Sequence, residues 1–531
     1  MKKTPTTLII LDGLGLADGK LSALGESTAA GGSPRTPSAS HAPSAASGEL
    51  SGGNAVRLAR TPRLDSFLQK YASTTLSASG VDVGLLPGQP GESETGHANL
   101  GAGRVVPQAL PRILAAIRDG SFYQNPVLLK AMGRCRERGT ALHLCGLLSD
   151  GGVHAHSRFL SALLRMAKEQ GVERVWVHPF LDGIDVPDGS GASYLRQAEA
   201  FCQEAGVGKI ATVTGRFYAM DRDCYWDRIE EVYDAMVYGE SARTASDPAE
   251  AAEQSRSRGL TDAAMEPVVC DPRGTVSDDD VVVCFNVRAD RVRQLARAMT
   301  EEAFDGFTRQ LFPVTFVSFA ECALEGVEEA FPRPPVSQCL GEVLSGLGLT
   351  QLRIGESCKR AHLTLLFDGG ARDPFPGEDR EFVPSARAGE EEPEMAAEQV
   401  CAGCVERIEA GAYDFVVVNF ANCDVIGHWG DLTAAVRAVE AVDACAGRVV
   451  DATLKMGGIA MLVGSHGNAE RMLDEAGEPT GVNSTDPVPC ILCGAGKRLR
   501  PGRLADAAPT LLDVMGLNCP DEMDGRTLIL E

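Results

Sequence analysis

Residues Gly91-Glu92-Ser93-Glu94-Thr95-Gly96-His97 place one serine hydroxyl, Ser93, among glycines, carboxylates and an imidazole. A serine alcohol attacks poorly until a base or a metal ion takes up its proton, so the pattern asks what else in the chain could activate it. Two later segments offer the means. Asn419-Phe420-Ala421-Asn422-Cys423-Asp424-Val425-Ile426-Gly427-His428 follows the apolar run Phe415 to Val418, and Ser465-His466-Gly467-Asn468 follows Ile459 to Val463. Asp12 stands in the same way after Leu8 to Leu11. Each puts oxygen or imidazole ligands just past an apolar strand, and in open α/β sheets the carboxyl ends of strands are where ligands and metals gather.

The elements that carry these residues are legible in outline. Apolar runs at 141–148, 175–181, 281–285, 314–319, 363–367, 415–420 and 459–463 alternate with helical stretches, which predicts parallel sheets with helices on both faces. At 531 residues the chain is too long for one ordinary core, and its 44% hydrophobic content can fill two. Residues 17–52 are rich in Ser, Ala, Gly and Pro with no apolar period, and are expected to form a flexible surface insertion.

The formal charge of −23, from 50 basic and 73 acidic residues, repels nucleic acid and anionic membranes. An anionic substrate would need a local basic pocket. The sixteen cysteines follow no disulfide spacing, and Cys401 and Cys404 lie in a helical stretch where packing thiols are expected rather than a zinc knuckle. After Lys2 and Lys3 the apolar run ends at Asp12, too short for a signal peptide or a membrane span, so a cytoplasmic protein is expected.

Taken in order, these segments resemble the cofactor-independent (2,3-bisphosphoglycerate-independent) phosphoglycerate mutases of the alkaline-phosphatase superfamily. The likeness extends to Gly146-Leu147-Leu148-Ser149-Asp150-Gly151-Gly152-Val153-His154, Gly215-Arg216-Phe217-Tyr218-Ala219-Met220-Asp221-Arg222-Asp223, Asn286-Val287-Arg288-Ala289-Asp290-Arg291 and Pro374-Phe375-Pro376-Gly377-Glu378-Asp379. It implies an α/β fold: an alkaline-phosphatase-like parallel-sheet domain from 1–107 and 337–531, with a second α/β, transferase-like substrate domain, 108–336, inserted in it.

The resemblance also implies roles. Ser93 would be the nucleophile on a site of two divalent ions, Mn²⁺ or Mg²⁺. One ion would be bound by Asp12, Ser93, Ser465 and His466, the other by Asp424, His428 and Asn483. Asp424 and His428 are four residues apart, one helical turn, so both can face a shared ion. The family has Asp where Ser465 stands and His where Asn483 stands. Hydroxyl and amide oxygens ligate more weakly, which favours oxygen-loving ions, and Asp486 is a possible replacement ligand. Arg216, Arg222, Arg288, Arg291, Lys359 and His154 fall on substrate-binding positions, where Arg forks suit carboxylate and phosphate. Asp185 would bind substrate and manage the proton of the glycerate hydroxyl. Ile184 stands where the family has a clamping arginine, and Glu92 where it has asparagine.

Three readings follow. The first is a mutase that interconverts 3- and 2-phosphoglycerate through a phosphoserine, acting as a monomer on a small anionic phospho-acid without nucleic acid or membrane partners. The second is a catalytically impaired paralogue serving as a binding or regulatory protein, since losing a metal ligand commonly costs orders of magnitude. The third is a metal-dependent phosphatase or mutase for another phospho-acid.

Overall fold

The computed structural model describes residues 2–17, 53–386 and 392–530, so the insertion expected over 17–52 lies, apart from Ala17, outside the described residues. The chain divides into two compact units, Met1–Pro107 with Pro335–Glu531, and Gln108–Pro334.

In the first unit the apolar runs form the centre of an eight-stranded sheet. Its strands run, edge to edge, Glu378–Val383, Gln351–Glu356, Phe415–Phe420, Thr6–Leu11, Ile459–Gly464, Val488–Cys493, Ala72–Ser77 and Gly502–Arg503. Every residue of Thr6–Leu11 and Phe415–Phe420 is buried, as happens when both faces of a parallel sheet are covered. Ile9, Leu11, Val416 and Val418 pack beneath Val400, Cys401, Cys404 and Val439 on one face. Leu8, Ile10, Val417 and Met461 alternate to the other, against Leu100, Leu340 and Leu511. Cys401 and Cys404 thus serve as core thiols on the helix Ala397–Ala410.

Register positions the chemistry. Leu11 pairs in parallel with Phe420 on one side and with Gly464 on the other. Three adjacent strands therefore end at one level, and Asp12, Ala421 and Ser465 leave the sheet together.

The five strands from Glu378–Val383 to Ile459–Gly464 are parallel, as expected, and Val488–Cys493 then runs antiparallel to both of its neighbours, Ile459–Gly464 and Ala72–Ser77. One expectation is corrected. The run 363–367 is no strand. Residues His362–Leu366 form a turn of π-helix with Leu363, Thr364 and Phe367 buried, a helical spacing. A five-residue apolar run cannot reveal that by periodicity alone.

The second unit has its own sheet, ordered Val327–Glu329, Thr315–Ser318, Val281–Cys284, Leu142–Leu147, Val175–Leu181, Thr212–Gly215 and Val268–Val269, with Lys209–Ile210 pairing onto Val175–Leu181. All pairs are parallel except Thr212–Gly215 with Val268–Val269. A buried polar chain crosses its centre: Asp280 Oδ2 lies 3.2 Å from His143 Nε2, His143 Nδ1 3.0 Å from His178 Nε2, and His178 Nδ1 2.9 Å from Thr212 Oγ1. Leu147 pairs with Phe180 and Leu181 with Gly215, so the loops starting at Leu148, Asp182 and Arg216 emerge at the same end of the sheet. No described helix is long and apolar enough to cross a membrane.

Candidate active site

Ser93 opens the helix Ser93–Ala102. Its cap is Glu92, whose backbone N–H donates to Thr95 Oγ1 at 3.3 Å in a capping box. A carboxylate there satisfies helix-end amides and faces the positive end of the helix dipole, which gives the departure at Glu92 a local reason. Gly96 lets that first turn press onto the Ser465 loop, since a Cβ there would overlap the Ser465 carbonyl oxygen.

Ser93 Oγ donates to Asp12 Oδ1 at 2.9 Å and accepts from Lys359 Nζ at 2.7 Å. The same ammonium lies 2.7 Å from Asp12 Oδ2 and 2.5 Å from Asp424 Oδ2. Burial alone would raise both carboxyls, but Lys359, helped by His466, outweighs it and holds both well below the ordinary carboxylate range. Burial likewise works against the Lys359 charge, and the two carboxylates overcome it and raise the ammonium above its usual value.

His466 Nε2 sits 2.9 Å from Asp424 Oδ1 and its Nδ1 2.9 Å from Ser465 Oγ, which in turn donates a short bond to Asp12 Oδ1. His428 Nδ1–H donates to Gly481 O at 2.6 Å, which leaves Nε2 turned toward Asp424 Oδ1 at 3.4 Å. The bond to Asp424 raises the His428 imidazole above its usual value. The structure therefore brings Asp12, Ser93, Lys359, Asp424, His428, Ser465 and His466 into one network.

Asn483 stands beside it with its amide committed, Nδ2 donating to Gly91 O at 3.0 Å and Oδ1 accepting from Asn468 Nδ2 at 2.8 Å. Asp486, the suggested replacement ligand, does not turn inward: both its oxygens are held by Arg471. Two members were not assigned from sequence. His97 Nδ1 is 2.7 Å from Ser93 O, and its Nε2 is 2.9 Å from Asn419 Nδ2, which also donates to Asp12 Oδ2 at 3.2 Å. Both stand inside conspicuous motifs, but their meeting across 322 residues is a property of the fold.

The donor types suit a divalent cation. Two carboxylates and a hydroxyl converge on the Lys359 ammonium, a cationic group already at that point, and the His428 Nδ1–H bond to a carbonyl is the arrangement that presents Nε2 to a metal. Among the described residues no three His, Cys, Asp or Glu side chains by themselves gather in ion-holding geometry. An ion placed there would draw on the hydroxyls of Ser93 and Ser465 as well, which bond to Asp12.

In the second unit Arg216 is buried, with Nη1 2.6 Å from Asp182 Oδ1 and 2.8 Å from Asp185 Oδ2. Asp182, also unassigned from sequence, accepts from Ser149 Oγ at 2.6 Å and from the Ile184 and Asp185 amides at 3.1 and 2.9 Å. Its carboxylate is the hub of the loop. Burial raises the Asp185 carboxyl despite Arg216. His154 Nε2 lies 3.8 Å from Asp185 Oδ2, and its Nδ1 is buried without a partner. Burial, reinforced by Arg216, Arg288 and Arg291, pushes its imidazole down to about 3.

Asp290 is shared by Arg222, Arg288 and Arg291 at 3.4, 3.7 and 3.6 Å, one carboxylate for three guanidiniums. That surplus of positive charge suits an oxyanion. Ile184 is 68% exposed.

Residues 113–322 match the family model described as the BPG-independent PGAM N-terminus. The chain is 48% identical over 488 residues to the 2,3-bisphosphoglycerate-independent phosphoglycerate mutase of Symbiobacterium thermophilum, covering 90% of this chain and 94% of that one. It is 42% identical over 542 residues to the enzyme of the same name from Clostridium beijerinckii, covering both in full. Among solved structures it is similar to Leishmania mexicana phosphoglycerate mutase, studied at low cobalt concentration, with a TM-score of 0.69, 29% identity, and coverage of 100% of this chain and 98% of that one.

Proposed function

The chain belongs to the 2,3-bisphosphoglycerate-independent phosphoglycerate mutases and interconverts 3-phosphoglycerate and 2-phosphoglycerate, and on that premise we propose that the phosphoryl group passes through Ser93. The observation that carries this reading is the seat of its hydroxyl, bonded at once to the Asp12 carboxylate and the Lys359 ammonium. Full-length relatives bearing the mutase name favour this over a silent paralogue or a changed substrate.

Ser93 Oγ attacks the phosphorus, the phosphoryl group moves to serine, and glycerate is left with a free hydroxyl. The second transfer returns the group to the other glycerate oxygen. Asp12, which accepts the hydrogen bond of the hydroxyl, orients it and takes its proton as the new bond to phosphorus forms, returning it when the serine is released, while Lys359 offers positive charge to the oxygen. Divalent ions, Mn²⁺ or Mg²⁺, would be held by Asp12, Ser93 and His466, and by Asp424 and His428; once bound they would lower the pKa of the serine hydroxyl and neutralise phosphoryl oxygens. Two ions are the reading, with Ser465 and Asn483 as weak contributors.

In the second unit the surplus guanidiniums of Arg222, Arg288 and Arg291 bind carboxylate and phosphate oxygens. His154, neutral at physiological pH, offers its unpartnered Nδ1 to a substrate oxygen. Asp185 takes and returns the proton of the glycerate hydroxyl, a task that suits a carboxyl raised above its usual range. We place the activity in glycolysis and gluconeogenesis, carried out by a cytoplasmic monomer.

Rapid quenching with 3-[³²P]phosphoglycerate tests the central step. Label on Ser93 is the expected result. Label on another residue, or transfer in one step with no labelled protein, contradicts it.

A further inference from the structure

Glu470 has no part in the steps above, yet its carboxyl is buried where three loops of the first unit meet. The residue is 2% exposed and its partners are neutral. Oε2 accepts from Gly15 N at 3.0 Å and from Asn468 N at 2.9 Å, and Oε1 accepts a short bond from Ser484 Oγ. Gly15 lies on the loop that begins with Asp12, Asn468 on the loop that carries Ser465 and His466, and Ser484 directly follows Asn483. The backbone is shaped around the carboxyl, since a Cβ at Gly15 or at Gly467 would overlap it. A Ser484 N–H bond to Gly467 O at 2.9 Å ties the second and third loops together beside it.

A carboxyl buried among neutral donors is expensive, and three hydrogen bonds offset that cost only while all three loops stay in place. We propose that Glu470 is a positioning residue for phosphoryl transfer: its carboxyl staples the loops of Asp12, His466 and Asn483 and fixes the approach of their side chains to Ser93. The inference rests on the Ser93 reading for its consequence in turnover, but not for the staple itself.

The full-length protein is compared with Glu470→Ala, Glu470→Gln and a control, Asp443→Asn. Asp443 is likewise a buried carboxyl that accepts two backbone amides, from Arg63 at 3.1 Å and Leu64 at 2.7 Å, and it lies on the helix Leu432–Lys455, outside the Ser93 network. The readouts are kcat and KM for 3-phosphoglycerate, Mn²⁺ affinity by calorimetry, amide hydrogen exchange at Gly15 and Asn468, and Tm.

Glu470→Ala is expected to lower both kcat and Mn²⁺ affinity about tenfold or more, with KM changed less than about threefold, as for residues that orient ligands from behind. Glu470→Gln keeps an oxygen for the amides and an N–H for Ser484, so it should restore both to within about threefold. Asp443→Asn should lower Tm and leave kcat and Mn²⁺ affinity in place. Should Glu470→Ala fail to fold, Ser484→Ala removes one of the three bonds and is expected to give a smaller loss of the same kind.

Unchanged kcat and Mn²⁺ affinity in the alanine variants, or an equal loss from Asp443→Asn at equal Tm, would overturn the proposal. Amide exchange separates the two ideas. Faster exchange at Gly15 and Asn468 in Glu470→Ala supports the staple even if Ser93 proved not to be phosphorylated, and unchanged exchange refutes it whatever Ser93 does.

Discussion

Around Ser93 each charged group is answered inside a closed network, whereas around Arg216 the pairing thins outward. Asp12, Asp424 and Lys359 are buried and bonded to one another. In the second unit Arg216 is buried between two carboxylates, but the Arg222 and Arg288 side chains are 50% and 48% exposed and share one partner, Asp290. The first arrangement is prepared before any ligand arrives, which is how fixed charges act on a developing transition state at little reorganisation cost. The second keeps unspent positive charge for an incoming anion. The departures from the family follow the same division. Serine at 465 and asparagine at 483 are absorbed by hydrogen bonds of the closed network, while isoleucine at 184 is exposed.

The contrast is tested hardest at the nucleophile. Ser93→Ala removes the attacking atom, and turnover is expected to fall by at least about 10⁴-fold, the scale seen when a catalytic serine is lost. Circular dichroism and Tm should stay near wild type, because the helix cap belongs to Glu92 and Thr95. Measurable wild-type activity in this variant would mean that the closed network is structural and the chemistry lies elsewhere.

The next largest effect is expected at Arg216. Arg216→Ala leaves Asp182 and Asp185 facing each other with their shared partner gone, and breaking such a buried pair costs about 3–5 kcal/mol. The sign with pH is fixed by Asp182. Burial raises its carboxyl, but the Ser149 and Asp185 bonds and Arg216 more than reverse this, so its folded pKa lies below its unfolded value near 3.8. It therefore contributes stability above pH ~4, and that stability is lost as pH falls through the folded value. Denaturant titrations of both proteins between pH 3 and 7 should converge toward the acid end. Equal pH dependence in the two would detach Arg216 from Asp182.

How much of this could be read in the chain depends on whether a residue acts through its neighbours in sequence or across the fold. The strands 175–181 and 415–420 end where the apolar runs end, and Asp12, Asp424 and His466 follow strand ends as ligands do in open sheets. The antiparallel Val488–Cys493 strand is not legible because Pro489 argues against a central strand and an apolar run does not show its direction. The π-helical turn at His362–Leu366 is hidden because Leu363, Leu365, Leu366 and Phe367, with Thr364 between them, are too few to carry a usable period. Asn419, His97, Asp182 and Glu470 are ordinary polar residues by type. Only tertiary register makes them partners of Asp12, Ser93, Arg216 and the Asp12 loop.

A gain of function should follow if the closed network truly tolerates its two departures instead of depending on them. Ser465→Asp with Asn483→His restores a carboxylate and an imidazole. Because ligand and supporting-ligand changes typically move metal affinity about 10–100-fold, Mn²⁺ titration of the double variant should show tightening in that range, with activity rising alongside. Unchanged titration would show that the present hydroxyl and amide are already sufficient partners.

The smallest effect is expected at Ile184, where the open character of the second cluster sets the size. A guanidinium fork gripping a desolvated anion is worth about 1.5–3 kcal/mol. Position 184 is 68% exposed, however, and a charge pair in water contributes only about 0.2–1 kcal/mol after screening. Ile184→Arg should therefore lower KM for 3-phosphoglycerate by no more than about fivefold, with kcat nearly unchanged because the contact touches a group that does not react. The gain should also shrink as salt is raised, since an exposed pair is screened over about 10 Å at 0.1 M ionic strength. A gain of a hundredfold that persists in high salt would mean that the loop of Asp182 to Asp185 closes over substrate and buries position 184, making the second cluster as closed in action as the first. No change in KM at any salt concentration would show that position 184 does not face the anion, and that Arg222, Arg288 and Arg291 complete the recognition without it.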